Sequence, residues 1–93
     1  MPQPLTALMA GCGGISRAWL DAIRTLPDVR MAAFVDINEA AAAARASEYG
    51  WHDAVVSADL AATLERVRPD VVFDCTVPEA HVRVTLEALR HGC

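Results

Sequence analysis

Three glycines within four residues, Gly11, Gly13 and Gly14, interrupt one apolar run, and a lone carboxylate, Asp36, closes a second run twenty residues beyond Ser16. A turn stripped of side chains lets backbone N–H groups approach an anion. A helix that starts at the turn adds unpaired amides and the positive end of its dipole. The anion this suits is a diphosphate. In Gly11-Cys12-Gly13-Gly14-Ile15, Gly11 permits the tight turn, and the missing side chain at Gly13 leaves the volume that two linked phosphates need. Ser16 stands where the third glycine of G-x-G-x-x-G would be; it is small enough for a close approach of helix to strand. The glycines alone fit a bare strand-to-helix turn equally well.

Asp36 changes that balance. At the end of a second strand, a carboxylate accepts hydrogen bonds from the ribose hydroxyls of an adenosine whose diphosphate sits on the glycines. It also repels a 2′-phosphate, and residues 37 and 38 supply no arginine to neutralise one, so NAD is favoured over NADP. The alternative is a turn or cap role, which aspartate often fills.

A third group lies in "DCTVPEAH", residues 74–81. Beyond the carboxyl ends of parallel strands, ligands bind where the strand order reverses, and the fourth strand neighbours the first across that point. Thr76 is then placed to hydrogen-bond the cofactor and Pro78 to pack against it. His81 reads either as a polar contact near the nicotinamide or as a first-turn helix residue. His52 and His91 read as surface histidines.

Other chemistries find little support. All eight cations are arginines, so lysine chemistry cannot come from these residues. Cys12, Cys75 and Cys93 match neither a zinc motif nor a disulfide framework and read as small buried or terminal thiols.

The elements that must hold these groups follow from the apolar period. "LTALMA" (5–10), "VRMAAFVD" (29–36), "AVVS" (54–57) and "DVVFDC" (70–75) read as strands. Between them lie helical patterns. The first, from Gly14 to about Leu26, has Ile15, Trp19 and Ile23 as its apolar stripe. The second is an alanine-rich helix with Asn38 as cap and Gly50 as stop. The third is capped by Asp59, with Leu60, Leu64 and Val67 as its stripe. The last starts near Pro78 and places Val82, Leu86 and Leu89 on one side. Strand and helix alternate four times, which predicts an α/β fold: a Rossmann-like parallel sheet with helices on both faces, in one domain.

Composition agrees. The 93 residues are 54% hydrophobic and 22% charged, a globular balance. A net charge of −4 with scattered arginines argues against nucleic acid as a partner. No apolar run reaches the roughly 20 residues of a membrane span, and the N-terminal residues lack the pattern of a signal peptide. A cytoplasmic protein is expected.

The chain resembles the Gfo/Idh/MocA oxidoreductases, the family of glucose-fructose oxidoreductase and inositol dehydrogenase. "GCGGIS", the acidic end of "AAFVD", "DVVFDCTVPEAH" and "ALRHGC" occur in the family's order and spacing. The resemblance implies a dinucleotide-binding domain in which Gly11, Gly13 and Asp36 hold the cofactor and Thr76 and His81 lie nearer its nicotinamide. It also implies a parent activity of hydride transfer between NAD and a sugar, polyol or related alcohol.

Several features depart from the family. Where it often has a histidine in the first helix, this chain has Trp19, expected in the core. The usual Thr-Pro-Asn becomes Thr76-Val77-Pro78, which keeps the step from Thr76 to His81 but moves the proline by one. The family's fifth strand, its Glu-Lys-Pro motif and its substrate domain are not among these residues. A fragment of a longer enzyme, or self-association through a shared sheet, is therefore expected. Alternatives are a non-catalytic nucleotide-binding or self-association module, a dihydrodipicolinate-reductase-like segment, which shares "DVVFDCTVPEA", and an S-adenosylmethionine site.

Overall fold

The computed structural model describes residues 4–76 and 78–93, with the backbone alone at Pro78 and Glu79. The elements are β1 (Leu5–Ala10), α1 (Gly14–Ile23), β2 (Val29–Val35), α2 (Glu39–Glu48), β3 (Val55–Ser57), α3 (Leu60–Val67), β4 (Val71–Asp74) and α4 (Pro78–Arg90). The strands form one parallel sheet in the order β3-β2-β1-β4. The order reverses beside β1, so the ends of β1 and β4 are neighbours, as the sequence reading required.

Alternation along β1 divides the core into two layers. Ala7 and Met9 face Leu20 and Ile23 of α1 and Ala42 and Ala46 of α2. Leu8 and Ala10 face Leu64 of α3 and Val84 of α4. Both faces of β1 are therefore dry, which explains its unbroken apolar run. Phe34, Leu8, Met9, Leu20, Met31 and Leu64 are fully buried. Each such side chain contributes about 1.5–3 kcal/mol relative to exposure. The alanine run of α2 is ordered helix, and fully buried Ala42 presses it close to the sheet.

The register of β4 on β1 is pinned at its start. The Asp70 carboxylate accepts from the Thr6 amide (2.9 Å) and hydroxyl (3.1 Å), while the Asp70 amide donates to the Thr6 carbonyl (2.8 Å). This sets Ala10 opposite Asp74 and brings the following turns to one level.

The sequence stripes of two helices are corrected. In α1 the buried residues are Ser16, Leu20 and Ile23, while Ile15 and Trp19 are exposed. The short glycine turn brings the helix so near β1 that small Ser16, not Ile15, fits against it. Trp19 is not a core residue; its ring lies against Phe73 at 5.8 Å with half its surface exposed. In α4, Val84 and Ala88 are buried and Val82, Leu86 and Leu89 are exposed. Beneath α4, β4 is the edge of the described sheet, so one stripe of the helix has strands to cover. Helix α1 also stops at Ile23 rather than Leu26, and Asn38 occupies the cap position of α2 without a side-chain capping bond. Asp59 does cap α3, accepting from the Ala62 amide at 3.0 Å.

Candidate functional site

The carboxyl ends of the four strands border an open cleft of about 760 Å³, lined among others by Gly11, Gly13, Asp36, Ser57, Thr76 and Arg83. The glycine turn, the acid of β2 and the threonine after β4 thus share one hollow. Cys12 is buried behind it and Ile15 is exposed on the first turn of α1. Val77 lies outside the described residues, and Pro78 enters only as the first residue of α4.

Gly11 and Gly13 are glycine for different reasons. Gly11 has φ +89°, and a Cβ there would stand 2.6 Å from the Cys75 carbonyl carbon and oxygen and 2.7 Å from the Thr76 nitrogen. The first and fourth turns touch through that missing side chain. Gly13 caps α1 in extended geometry, and a Cβ there would meet nothing within 4 Å. Its missing side chain leaves open volume at a helix N-terminus, where unpaired amides and the helix dipole favour an anion. Ser16 is fully buried, and its hydroxyl donates to the Gly13 carbonyl at 2.6 Å, which keeps the short turn closed.

Asp36 serves the turn and also faces the hollow. One carboxylate oxygen accepts from the Cys12 amide and the other from the Asn38 amide, each at 2.8 Å. It therefore ties the glycine turn to the start of α2. Each oxygen keeps a further lone-pair direction, and the residue lines the cleft. The lining also includes Glu39, Asp59 and Glu87, and among its described residues the one cation is Arg83.

Beneath the glycine turn lies a group that sequence reasoning missed. Arg45, on the last turn of α2, has a side chain only 12% exposed. Its Nε and Nη2 donate to the Cys12 carbonyl at 3.3 and 3.1 Å, and Nη2 also reaches the Gly13 carbonyl at 3.4 Å. Its Nη1 donates to Glu48 at 3.0 Å, and Glu48 also pairs with Arg17 of α1. The Cys12 thiol beside it is pushed up to about 12 by burial first and by the Asp36 charge second. It is no thiolate at neutral pH.

Thr76 borders the cleft, whereas Asp74 and His81 are not among its lining residues, so the structure does not bring His81 into the hollow with Gly11 and Asp36. Next to Thr76 of the lining, Asp74 organises a second cluster. Its Oδ1 accepts from the Thr76 hydroxyl (2.5 Å) and amide (3.1 Å), and its Oδ2 lies 2.9 Å from His81 Nδ1. Burial raises the Asp74 pKa, but the Thr76 bonds and His81 outweigh it and hold the carboxyl below its ordinary value. His81 Nδ1 is also 3.3 Å from Thr76 Oγ1. With a carboxylate at Nδ1, the neutral ring keeps its proton there, and Nε2 is left as the acceptor. Asp74 was legible only as a strand end. The available signal was its spacing of two from Thr76, at which an aspartate carboxylate accepts from the backbone N–H two residues on and closes a turn.

Among the described residues no group of three or more His, Cys, Asp or Glu is placed to hold a metal ion. Nor is any helix among them long and apolar enough to cross a membrane.

Comparison with known proteins gives the same direction. The Gfo/Idh/MocA family, described as an oxidoreductase family with an NAD-binding Rossmann fold, matches residues 5–93. Among solved structures, myo-inositol dehydrogenase from Lactobacillus casei in complex with NAD(H) and myo-inositol is 27% identical. Its TM-score is 0.85, and the match covers 95% of this chain and 26% of that one. A putative myo-inositol dehydrogenase from Sinorhizobium meliloti 1021 is 26% identical with a TM-score of 0.80, covering 95% and 26%. The WlbA dehydrogenase from Bordetella pertussis, in complex with NADH and UDP-GlcNAcA, has a TM-score of 0.85 at 21% identity, covering 97% and 27%. At that identity the likeness is one of fold. The chain spans about a quarter of the length of these structures. A search of curated proteins finds no match.

Proposed function

Because the chain belongs to the Gfo/Idh/MocA oxidoreductases and forms their NAD-binding Rossmann fold, we propose that residues 1–93 are the cofactor-holding part of a dehydrogenase acting on a sugar, polyol or related alcohol. The observation that carries this reading is the shared cleft. Gly13 opens it at the start of α1, with nothing in the path of a Cβ, and Asp36 lines the same hollow. The fit to a dinucleotide is chemical as well as spatial: amides for the diphosphate, a carboxylate for the ribose.

In this reading the first-turn amides of Gly13, Gly14 and Ile15 bind the diphosphate. Asp36 accepts from the ribose hydroxyls on the adenosine side while holding the Cys12 and Asn38 amides. Thr76 and His81, ordered by Asp74, orient the nicotinamide end. Nicotinamide supplies the hydride chemistry when bound. These residues contain no lysine, and in this reading they hold the cofactor rather than move the hydroxyl proton.

Further parts of the reading rest on composition and surface. A net charge of −4 favours small-molecule partners over nucleic acid, and three unpaired thiols suit a reducing cytoplasm. Exposed Val82, Leu86 and Leu89 support association with a second copy of the chain. The match over residues 5–93 favours this reading over a dihydrodipicolinate-reductase or S-adenosylmethionine site.

Saturation-transfer NMR with NAD tests the central claim. Signals from adenine and nicotinamide protons are expected with the wild type and are weaker with Asp36→Ala; no signal from a folded wild type overturns it. A panel of polyols then separates a cofactor cradle from a self-sufficient enzyme, with binding but no turnover expected.

A further inference from the structure

The guanidinium of Arg45 is nearly buried, yet it is not part of the cleft lining, and among the described residues it pairs with one carboxylate, Glu48. Its remaining donors go to main-chain carbonyls, those of Cys12 and Gly13. The Cys12 peptide is thus gripped on both sides. Its N–H donates to Asp36 of β2, and its carbonyl accepts from Arg45 of α2. A glycine-rich turn has more backbone freedom to lose than any other segment of the chain. A turn already fixed before binding spares the ligand that cost.

We propose that Arg45 is a positioning residue for the diphosphate turn: it holds the Cys12 and Gly13 carbonyls toward α2, so that the amides at the start of α1 face the cleft. The inference rests on the dinucleotide reading above. Charge works in the same direction. Arg17 and Arg45 share Glu48, which leaves one net positive charge beneath a turn whose cleft has mainly acids among its charged lining residues. The planar fork matters as well as the charge, since Nε and Nη2 converge on a single carbonyl. Glu48 orients that fork, and Arg17 in turn holds Glu48.

The experiment compares NAD with adenosine, which lacks the diphosphate, on wild type, Arg45→Met and Arg45→Lys. Calorimetry is expected to show NAD affinity falling about tenfold in Arg45→Met, with adenosine affinity changed less than about twofold. Arg45→Lys, which keeps the charge without the fork, is expected between the two. Equal affinity for NAD in a folded variant, or an equal loss for adenosine, overturns the inference. Hydrogen exchange of the Cys12 and Ser16 amides, which are bonded to Asp36 and to the Gly13 carbonyl, provides a ligand-free reading. It should be faster in Arg45→Met and in Arg45→Lys, and unchanged exchange in both counts against the proposal. A wild type that ignores NAD but shows the exchange effect sinks the dinucleotide reading and leaves the clamp standing.

Discussion

Nδ1 of His81 lies 2.9 Å from Oδ2 of Asp74, while the other oxygen of the same carboxylate holds the hydroxyl and amide of Thr76. One acid therefore fixes both Thr76, which lines the cleft, and His81 of α4, which does not. The Asp74 pKa is lowered in the folded protein, so in acid the folded chain binds fewer protons at this group than the unfolded chain does. Its contribution to stability is complete above the unfolded aspartate pKa of about 3.9 and is lost as pH falls through the lower folded value. Urea unfolding of wild type and Asp74→Asn at several pH values should show this. The wild-type advantage is expected at pH 6 and should shrink below pH 4, and a difference that grows on acidification would contradict it.

The two cleft glycines should fail in opposite ways. Gly11→Ala forces a Cβ to within 2.6 Å of the Cys75 carbonyl at φ +89°, so a loss of about 2–4 kcal/mol is expected in denaturant unfolding. Gly13→Ala meets nothing within 4 Å and has φ −77°. Its stability should stay within about 0.5 kcal/mol of wild type, whereas NAD binding should weaken by about tenfold or more. A Gly13→Ala protein that binds NAD normally would mean that the hollow beside it is not the diphosphate site.

Discrimination against a 2′-phosphate should reside in the acids around β2 and β3. Asp36, Glu39 and Asp59 all line the cleft. Calorimetry should give NAD an affinity at least about tenfold above NADP at low salt, a gap of about 1.4 kcal/mol. Asp36→Asn should narrow the gap, because it removes one charge while an amide oxygen can still hold a backbone N–H. An unchanged ratio would move the selectivity elsewhere.

Cys12 should be chemically silent. Its thiol is pushed up to about 12 and is 1% exposed, and burial also raises Cys75 and Cys93. Iodoacetamide at pH 8 should leave Cys12 unlabelled in the folded chain and modify all three thiols in urea, with mass spectrometry locating the adducts. Rapid native labelling at Cys12 would contradict the packing described.

The strands, their alternation with helices and the place of β4 beside β1 were legible because period and turn chemistry are local. Gly11, Gly13 and Asp36 were legible because a turn without side chains and an acid at a strand end constrain backbone and charge wherever they occur. The helix faces were not. Ile15 and Trp19 are as apolar as Leu20 and Ile23, and only the position of β1 decides which pair is covered. Arg45 was hidden for a similar reason. In a run of alanines it reads as a solvated cation, and its partners, 33 and 32 residues away at Cys12 and Gly13, are carbonyls that no side-chain pattern records. The Asp74 cluster stood between these cases, visible as a spacing but not as a hydrogen-bond network.

The van der Waals contact across Gly11 leaves no slack between the bend after β1 and the bend after β4. A shift of a few tenths of an ångström in one must be taken up by the other, since what meets there is main chain on both sides and neither can swing away as a rotamer would. Pressure at the phosphate end would thus be felt directly at Cys75 and Thr76, and the two jaws of the cleft would move as one piece.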